Sequence, residues 1–156
     1  MKVLSFDQAT KTGWSFFEDD SLEAFDWKDF GETIDYNYRI NEIKNYMIEL
    51  INKYNPELVC FENVQFQFNK DAYKKISSLQ GVLVDYCISN NILFEIVSVN
   101  TWRSFHGITG KKKVELKQAA IDKVNSLYDI DVENDDVAEA ICIGNYAVNN
   151  INIKGV

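Results

Sequence analysis

Lys2-Val3-Leu4-Ser5-Phe6-Asp7-Gln8-Ala9-Thr10-Lys11-Thr12-Gly13-Trp14 opens the chain and decides how the rest is read. Val3, Leu4 and Phe6 supply the β-branched and aromatic content of a buried strand. That strand runs directly into a carboxylate, Asp7. Gln8 to Gly13 reads as a tight polar turn in which Gly13 is free to take positive φ. Trp14 and Phe16 then belong to a second strand returning antiparallel. Open α/β sheets place their chemistry at the C-terminal ends of central strands, where Asp7 stands. Alone, such an Asp is more simply a turn cap; its weight comes from three further acids.

Working outward, Ser21 to Phe30 supplies a third strand, ended by Gly31. From Asp35 to Tyr54, Ile40, Ile43, Met47, Leu50 and Ile51 recur at helical spacing, and Pro56, the only proline, closes that helix. Glu57 to Glu62 is an apolar strand that again ends on a carboxylate, followed by a 63–70 loop rich in Asn, Gln and Phe. Asp71 to Ser89 is a helix with a wide apolar stripe, and Ile92 to Val99 is a strand. Asn100 caps a short turn, a 107–110 loop leads to Lys111-Lys112-Lys113, and a helix runs to about Tyr128. Asn134 caps a last helix from Asp135. A meander followed by crossover units predicts one α/β domain over residues 1–156, with a mixed five-stranded sheet and helices on both faces. With the fourth strand beside the first, Asp7 and Glu62 end neighbouring parallel strands about 5 Å apart.

Composition narrows the chemistry. The 46% hydrophobic and 13% aromatic content is that of a globular protein, and no segment has the ~18 apolar residues of a membrane span. No signal peptide is apparent, and Cys60, Cys87 and Cys142 each lie in apolar stretches, as expected of a reduced cytoplasmic protein. One His and three such cysteines disfavour zinc, so any metal would be a hard cation held by oxygen. The net charge is −8, yet residues 66–124 carry nine Lys/Arg against five Asp/Glu. A basic middle within an acidic shell can still bind a polyanion if those residues share a face.

Asp136 and Glu139 lie three apart at the head of the last helix and therefore share a face. Acids in a first turn complement the helix dipole, which accounts for Asp135 but less well for Glu139. Four carboxylates on one surface repel unless a divalent cation neutralises them, and oxygen-only ligands suit Mg²⁺ or Mn²⁺. Two such ions about 4 Å apart stabilise the attacking and leaving oxygens of a phosphodiester displacement.

In these motifs, spread over nearly the whole length, the chain resembles the RuvC-type Holliday-junction resolvases of the ribonuclease H-like nucleases. The matching features are Asp7 through Thr12-Gly13, Phe61-Glu62, Leu79-Gln80-Gly81-Val82, the Gly107 to Lys113 loop and Asp136-Val137-Ala138-Glu139-Ala140-Ile141. Gln8-Ala9 stands where the family has Pro-Gly, and Glu139 where it has Asp, departures expected of a divergent, phage-encoded branch working in host cytoplasm. The resemblance implies a ribonuclease H-like fold with strand order 3-2-1-4-5. It implies a homodimer that nicks four-way and other branched DNA, leaving 5′-phosphate and 3′-hydroxyl ends, with no small-molecule cofactor. Asp7, Glu62, Asp136 and Glu139 would hold two Mg²⁺ ions, with Mn²⁺ as a substitute, and Lys113 would be the lysine close to the active site. Alternatives are another nuclease of the superfamily acting on structured RNA, a junction-binding scaffold that does not cut, and a nucleotide binder. The last needs a Gly-rich phosphate loop that Gln8-Ala9 does not supply.

Arg103, Lys111, Lys112, Lys113 and Lys117 are the candidate phosphate contacts. Phe66 and Phe68, two apart in a polar loop, either enter the core or stack at a branch point. His106 reads as a loop residue. If five phosphates are met, the logarithm of the junction-binding constant should fall with log salt at a slope of about −4 to −5. Replacing Lys111, Lys112 and Lys113 together should flatten that slope in a filter-binding titration; an unchanged slope would move the basic surface to Lys70, Lys74 and Lys75.

Overall fold

The protein is described by a computed structural model that covers residues 1–32, 35–66 and 68–153. Gln67 of the 63–70 loop lies outside the described residues. The chain begins with the meander β1 (Lys2–Asp7), β2 (Lys11–Glu18) and β3 (Ser21–Asp29). Then come α1 (Tyr36–Tyr54), β4 (Leu58–Glu62), α2 (Lys70–Ser89) and β5 (Phe94–Val97). Three helices close it: α3 (Val99–His106), α4 (Lys113–Tyr128) and α5 (Asp135–Asn150). The five strands form one mixed sheet in the order β3-β2-β1-β4-β5, with β4 parallel to β1 and β5 parallel to β4. This is the order expected from the sequence.

The central strand has no solvent face. Leu4 and Phe6 pack with Val59, Phe61 and the apolar stripes of α1 and α2. Val3 packs on the opposite side with Phe17, Cys60, α4 and α5. Side chains alternate along a strand, so a run of apolar residues fills two cores at once. Helix starts follow local capping chemistry: Asp35, Asn69 and Asn134 accept hydrogen bonds from backbone N–H groups of α1, α2 and α5. Asn55 in the left-handed region and Pro56 behind it end α1.

Two local expectations are corrected. The fifth strand stops at Val97, because Ser98, not Asn100, caps the next helix; its hydroxyl accepts from the Thr101 N–H at 3.3 Å. Asn100 therefore lies inside α3. Gly13 does not use positive φ; it is a strand residue paired with Asp7. Its lack of a side chain serves packing. A Cβ there would lie 2.0 Å from the Asp136 carbonyl oxygen and 2.7 Å from the Val137 nitrogen.

The same economy recurs further along α5. A Cβ on Gly144 would sit 2.6 Å from both the Phe17 ring and Ser5 Oγ. Between the two glycines, the buried Ser5 and Ser15 hydroxyls, 2.6 Å apart, both reach the Ala140 carbonyl, at 2.9 and 3.1 Å. Helix α5 thus lies directly on β1 and β2. Gly13→Ala should destabilise the fold by about 1–3 kcal/mol through overpacking, read from chemical denaturation. Wild-type stability in that variant would mean α5 can stand further off.

Candidate active site

Parallel pairing of Phe6 with Phe61 brings Asp7 and Glu62, the next residues, side by side where β1 and β4 end. Beyond them the main chains part, but Gln8 bridges the gap. Its Nε2 donates to the Glu62 carbonyl at 2.6 Å, and its Oε1 accepts from the Glu62 N–H at 3.1 Å. Helix α5 then delivers Glu139. One carboxylate oxygen each of Asp7, Glu62 and Glu139 lies within 4.8 Å of the others. Asp136, a turn earlier on α5, stands outside that trio but lines the same cleft, which has a volume of about 210 Å³. Arg103, Lys113 and Lys117 line it too.

The acids are held against strong electrostatic opposition. Burial raises Asp7 well above the usual carboxylate range, and Glu62, Glu139 and Asp136 push the same way. Glu62 is pushed up to about 7 by burial and by Glu139, against a hydrogen bond from Trp102 and the charges of Arg103 and Lys113. Asp136 rises to about 6 through burial and Asp135, opposed by Lys117. Two cations answer part of this charge. Arg103 Nη2 donates to Glu139 Oε1 at 3.1 Å, and Lys117 Nζ pairs with Asp135. Burial lowers the Lys117 pKa, but that hydrogen bond and the surrounding carboxylates raise it on balance.

The remaining sequence candidates scatter around this centre. Lys111 and Lys112 are exposed and outside the cleft, their backbone N–H groups donating to Glu115 Oε2 at 2.9 and 3.1 Å. Phe66 is 76% and Phe68 98% exposed, so the core placement is excluded. Their rings meet edge to face, and Phe66 also touches Tyr73 of α2. Gln80 steadies the start of this loop by accepting from the Val64 N–H at 3.0 Å. His106 is no loop residue: it ends α3, buried, with Nε2 2.9 Å from the Cys142 carbonyl. A groove of about 1040 Å³ adjoins the cleft, sharing Ala9, Ile76 and Asp136 with it.

Sequence reasoning missed two residues. Gln8 gave no signal beyond being polar in a turn. Trp102 is fully buried, and its indole Nε1 donates to Glu62 Oε1 at 3.0 Å. The only sequence hint was an aromatic residue with a polar tip beside Arg103.

No family model matches the chain. Curated relatives do. It is 27% identical over 139 residues to the crossover junction endodeoxyribonuclease RuvC of Brachyspira hyodysenteriae, covering 89% of this chain and 81% of that protein. It is 23% identical over 159 residues to RuvC of Borrelia turicatae, covering 95% and 98%. The fold is that of Thermus thermophilus RuvC solved with a Holliday junction substrate, with a TM-score of 0.77 at 12% identity over 94% of this chain and 92% of that one. The resemblance read from the motifs therefore extends over nearly the full length of the chain and to its fold.

The crowded carboxylates have a consequence for stability. Each raised pKa means that the folded state binds protons more tightly than the unfolded chain. The stabilisation is complete below the unfolded values near pH 4, and it is lost as pH rises through about 6 for Asp136 and about 7 for Glu62. In chelator, the melting temperature should be higher at about pH 5 than at about pH 8, and excess Mg²⁺ should recover the loss. A flat profile, or no response to Mg²⁺, would contradict this reading of the cleft.

Proposed function

We propose that this chain is a metal-dependent, structure-selective endonuclease that hydrolyses phosphodiester bonds in four-way and other branched DNA junctions. The observation that carries the reading is the trio Asp7, Glu62 and Glu139, with oxygens mutually within 4.8 Å, bordered by Arg103, Lys113 and Lys117. An all-oxygen donor set suits a hard cation, and the raised Asp7 and Glu62 pKa values mark a charge that such a cation relieves. Asp7, Glu62, Glu139 and Asp136 would hold two Mg²⁺ ions, replaceable by Mn²⁺. When bound, they would supply the positive charge that stabilises the attacking and leaving oxygens of an in-line displacement.

The chain's own groups do the rest. Lys113 opens α4 and lines the cleft, which supports a role in taking a phosphate oxygen. Arg103 and Lys117 line the same cleft as the acids, and their positive charge favours a phosphodiester there. Water attacks phosphorus in line, leaving 5′-phosphate and 3′-hydroxyl ends. Lys111 and Lys112 extend the phosphate path outside the cleft. Phe66 and Phe68, exposed and in contact with each other, would stack on bases at the branch, an interaction of about 1–3 kcal/mol per base.

A four-way junction has two-fold symmetry and needs two cuts, which a C2 homodimer supplies. The outward face of α2, with Ile88 62% exposed and Tyr73 37%, supports pairing of that helix with its copy. Among the described residues no helix is long and apolar enough to cross a membrane, and the free, buried Cys60, Cys87 and Cys142 fit a cytoplasmic setting.

Asp7→Asn should abolish cutting of a synthetic four-way junction in Mg²⁺ while leaving junction binding intact or tighter, because it removes negative charge facing the phosphates. Gel assays of cleavage and retardation check both halves, with duplex DNA and structured RNA as parallel substrates. Undiminished cleavage by the variant would remove Asp7 from the chemistry. Preference for RNA would favour the RNA-processing alternative, and binding without cutting by the wild type would favour a scaffold.

A further inference from the structure

We propose that Trp102 is a positioning residue for the candidate metal centre, its indole N–H fixing the Glu62 carboxylate so that a second oxygen faces the cation. The inference rests on the reading of Asp7, Glu62 and Glu139 as cation ligands. Trp102 has no exposed surface and is packed in the core that contains Val97, Val99, Ile108 and Ile141. A buried indole needs an acceptor for its one N–H. Any backbone carbonyl would meet that need, as the Tyr46 hydroxyl does for Trp14 at 2.8 Å. Trp102 instead spends its donor on a carboxylate that is already crowded by Glu139.

The neighbouring residue has a parallel task. Arg103 binds Oε1 of Glu139, and its guanidinium carbon lies 5.0 Å from the centre of the Trp102 ring. Two consecutive residues of one short helix thus tie back the two glutamates of the trio, one oxygen each. The helix itself is pinned at both ends. Ser98 caps its start, Gly107 in the left-handed region ends it, and His106 joins it to the Cys142 carbonyl of α5. That join is to the helix carrying Glu139, so the anchor and one of the ligands share a rigid mount.

Hydrogen bonds to ligating groups from such outer residues tune metal affinity by about 10- to 100-fold. Trp102→Phe keeps the ring and removes the donor. Calorimetric titration of Mg²⁺ into the full chain should show binding weakened about 10- to 100-fold in that variant. Glu62→Gln should weaken it as well, and the double variant should be no weaker than Glu62→Gln alone, because both changes act through one carboxylate. Equal affinity of Trp102→Phe and wild type, or additive losses in the double variant, would overturn the proposal.

A second measurement needs no Trp102 variant. The wild-type chain has three tryptophans and so three indole N–H signals in a ¹H–¹⁵N spectrum. Trp14→Phe and Trp27→Phe each delete one and leave that of Trp102 assigned. Adding Mg²⁺ should move the Trp102 signal along a saturating curve whose midpoint matches the calorimetric Kd, while the other two stay near their places. A stationary Trp102 signal in the presence of Mg²⁺ binding would overturn the proposal even if Trp102→Phe failed to fold. No Mg²⁺ binding by the wild type would instead overturn the metal reading beneath it.

Discussion

The separation between α5 and the two central strands governs everything else in this molecule. At Gly13 and Gly144 a side chain would hold the helix off, and the hydroxyls of Ser5 and Ser15 draw in its Ala140 carbonyl. With even one methyl group at Gly13, the head of α5 would have to lift. The head of α5 is where Asp136 and Glu139 are. Backbone proximity, rather than any attraction among the acids, is what brings Glu139 to Asp7.

That proximity has an electrostatic cost, which apolar burial offsets. Val137, Ile141 and Ile143 on α5 are buried among the strands and α4, each worth about 1.5–3 kcal/mol if fully removed from water. This burial opposes the repulsion among the carboxylates, whose pKa values burial and their neighbours raise. Arg103 and Lys117 reduce the repulsion without abolishing it, because each is committed to one acid while the cleft holds four. The residual imbalance is local. Of the nine Lys/Arg in residues 66–124, Arg103, Lys113 and Lys117 line the cleft, and the acidic excess of the chain lies in the remaining segments of the sequence.

What could be read from the sequence was what repeats or terminates. Asp7 and Glu62 each end an apolar run, and Asp136 and Glu139 share a helix face by spacing alone, so the acids were visible before any coordinates. The sheet order followed from a meander and two crossovers. Gly13 was misread because a glycine near a turn serves either φ or close approach, and only the position of Asp136, far along the chain, decides which. Ser98 and Asn100 both make good caps, two residues apart, and local sequence does not choose between them. Phe66 and Phe68 carry no periodic signal, which left their exposure open. The Trp102 to Glu62 hydrogen bond joins residues on different elements, and no local pattern encodes it.

Gln8 has a wider consequence. Its side-chain amide makes the two hydrogen bonds that a further peptide unit would make, adding a rung to the β1–β4 ladder after the main chains have diverged. The strands can therefore separate to open a cleft and still be registered at its floor. Because the rung is a side chain, a single codon can remove the cross-strand tie at the floor of the cleft. In this chain one side chain thus bears on the spacing of two acids.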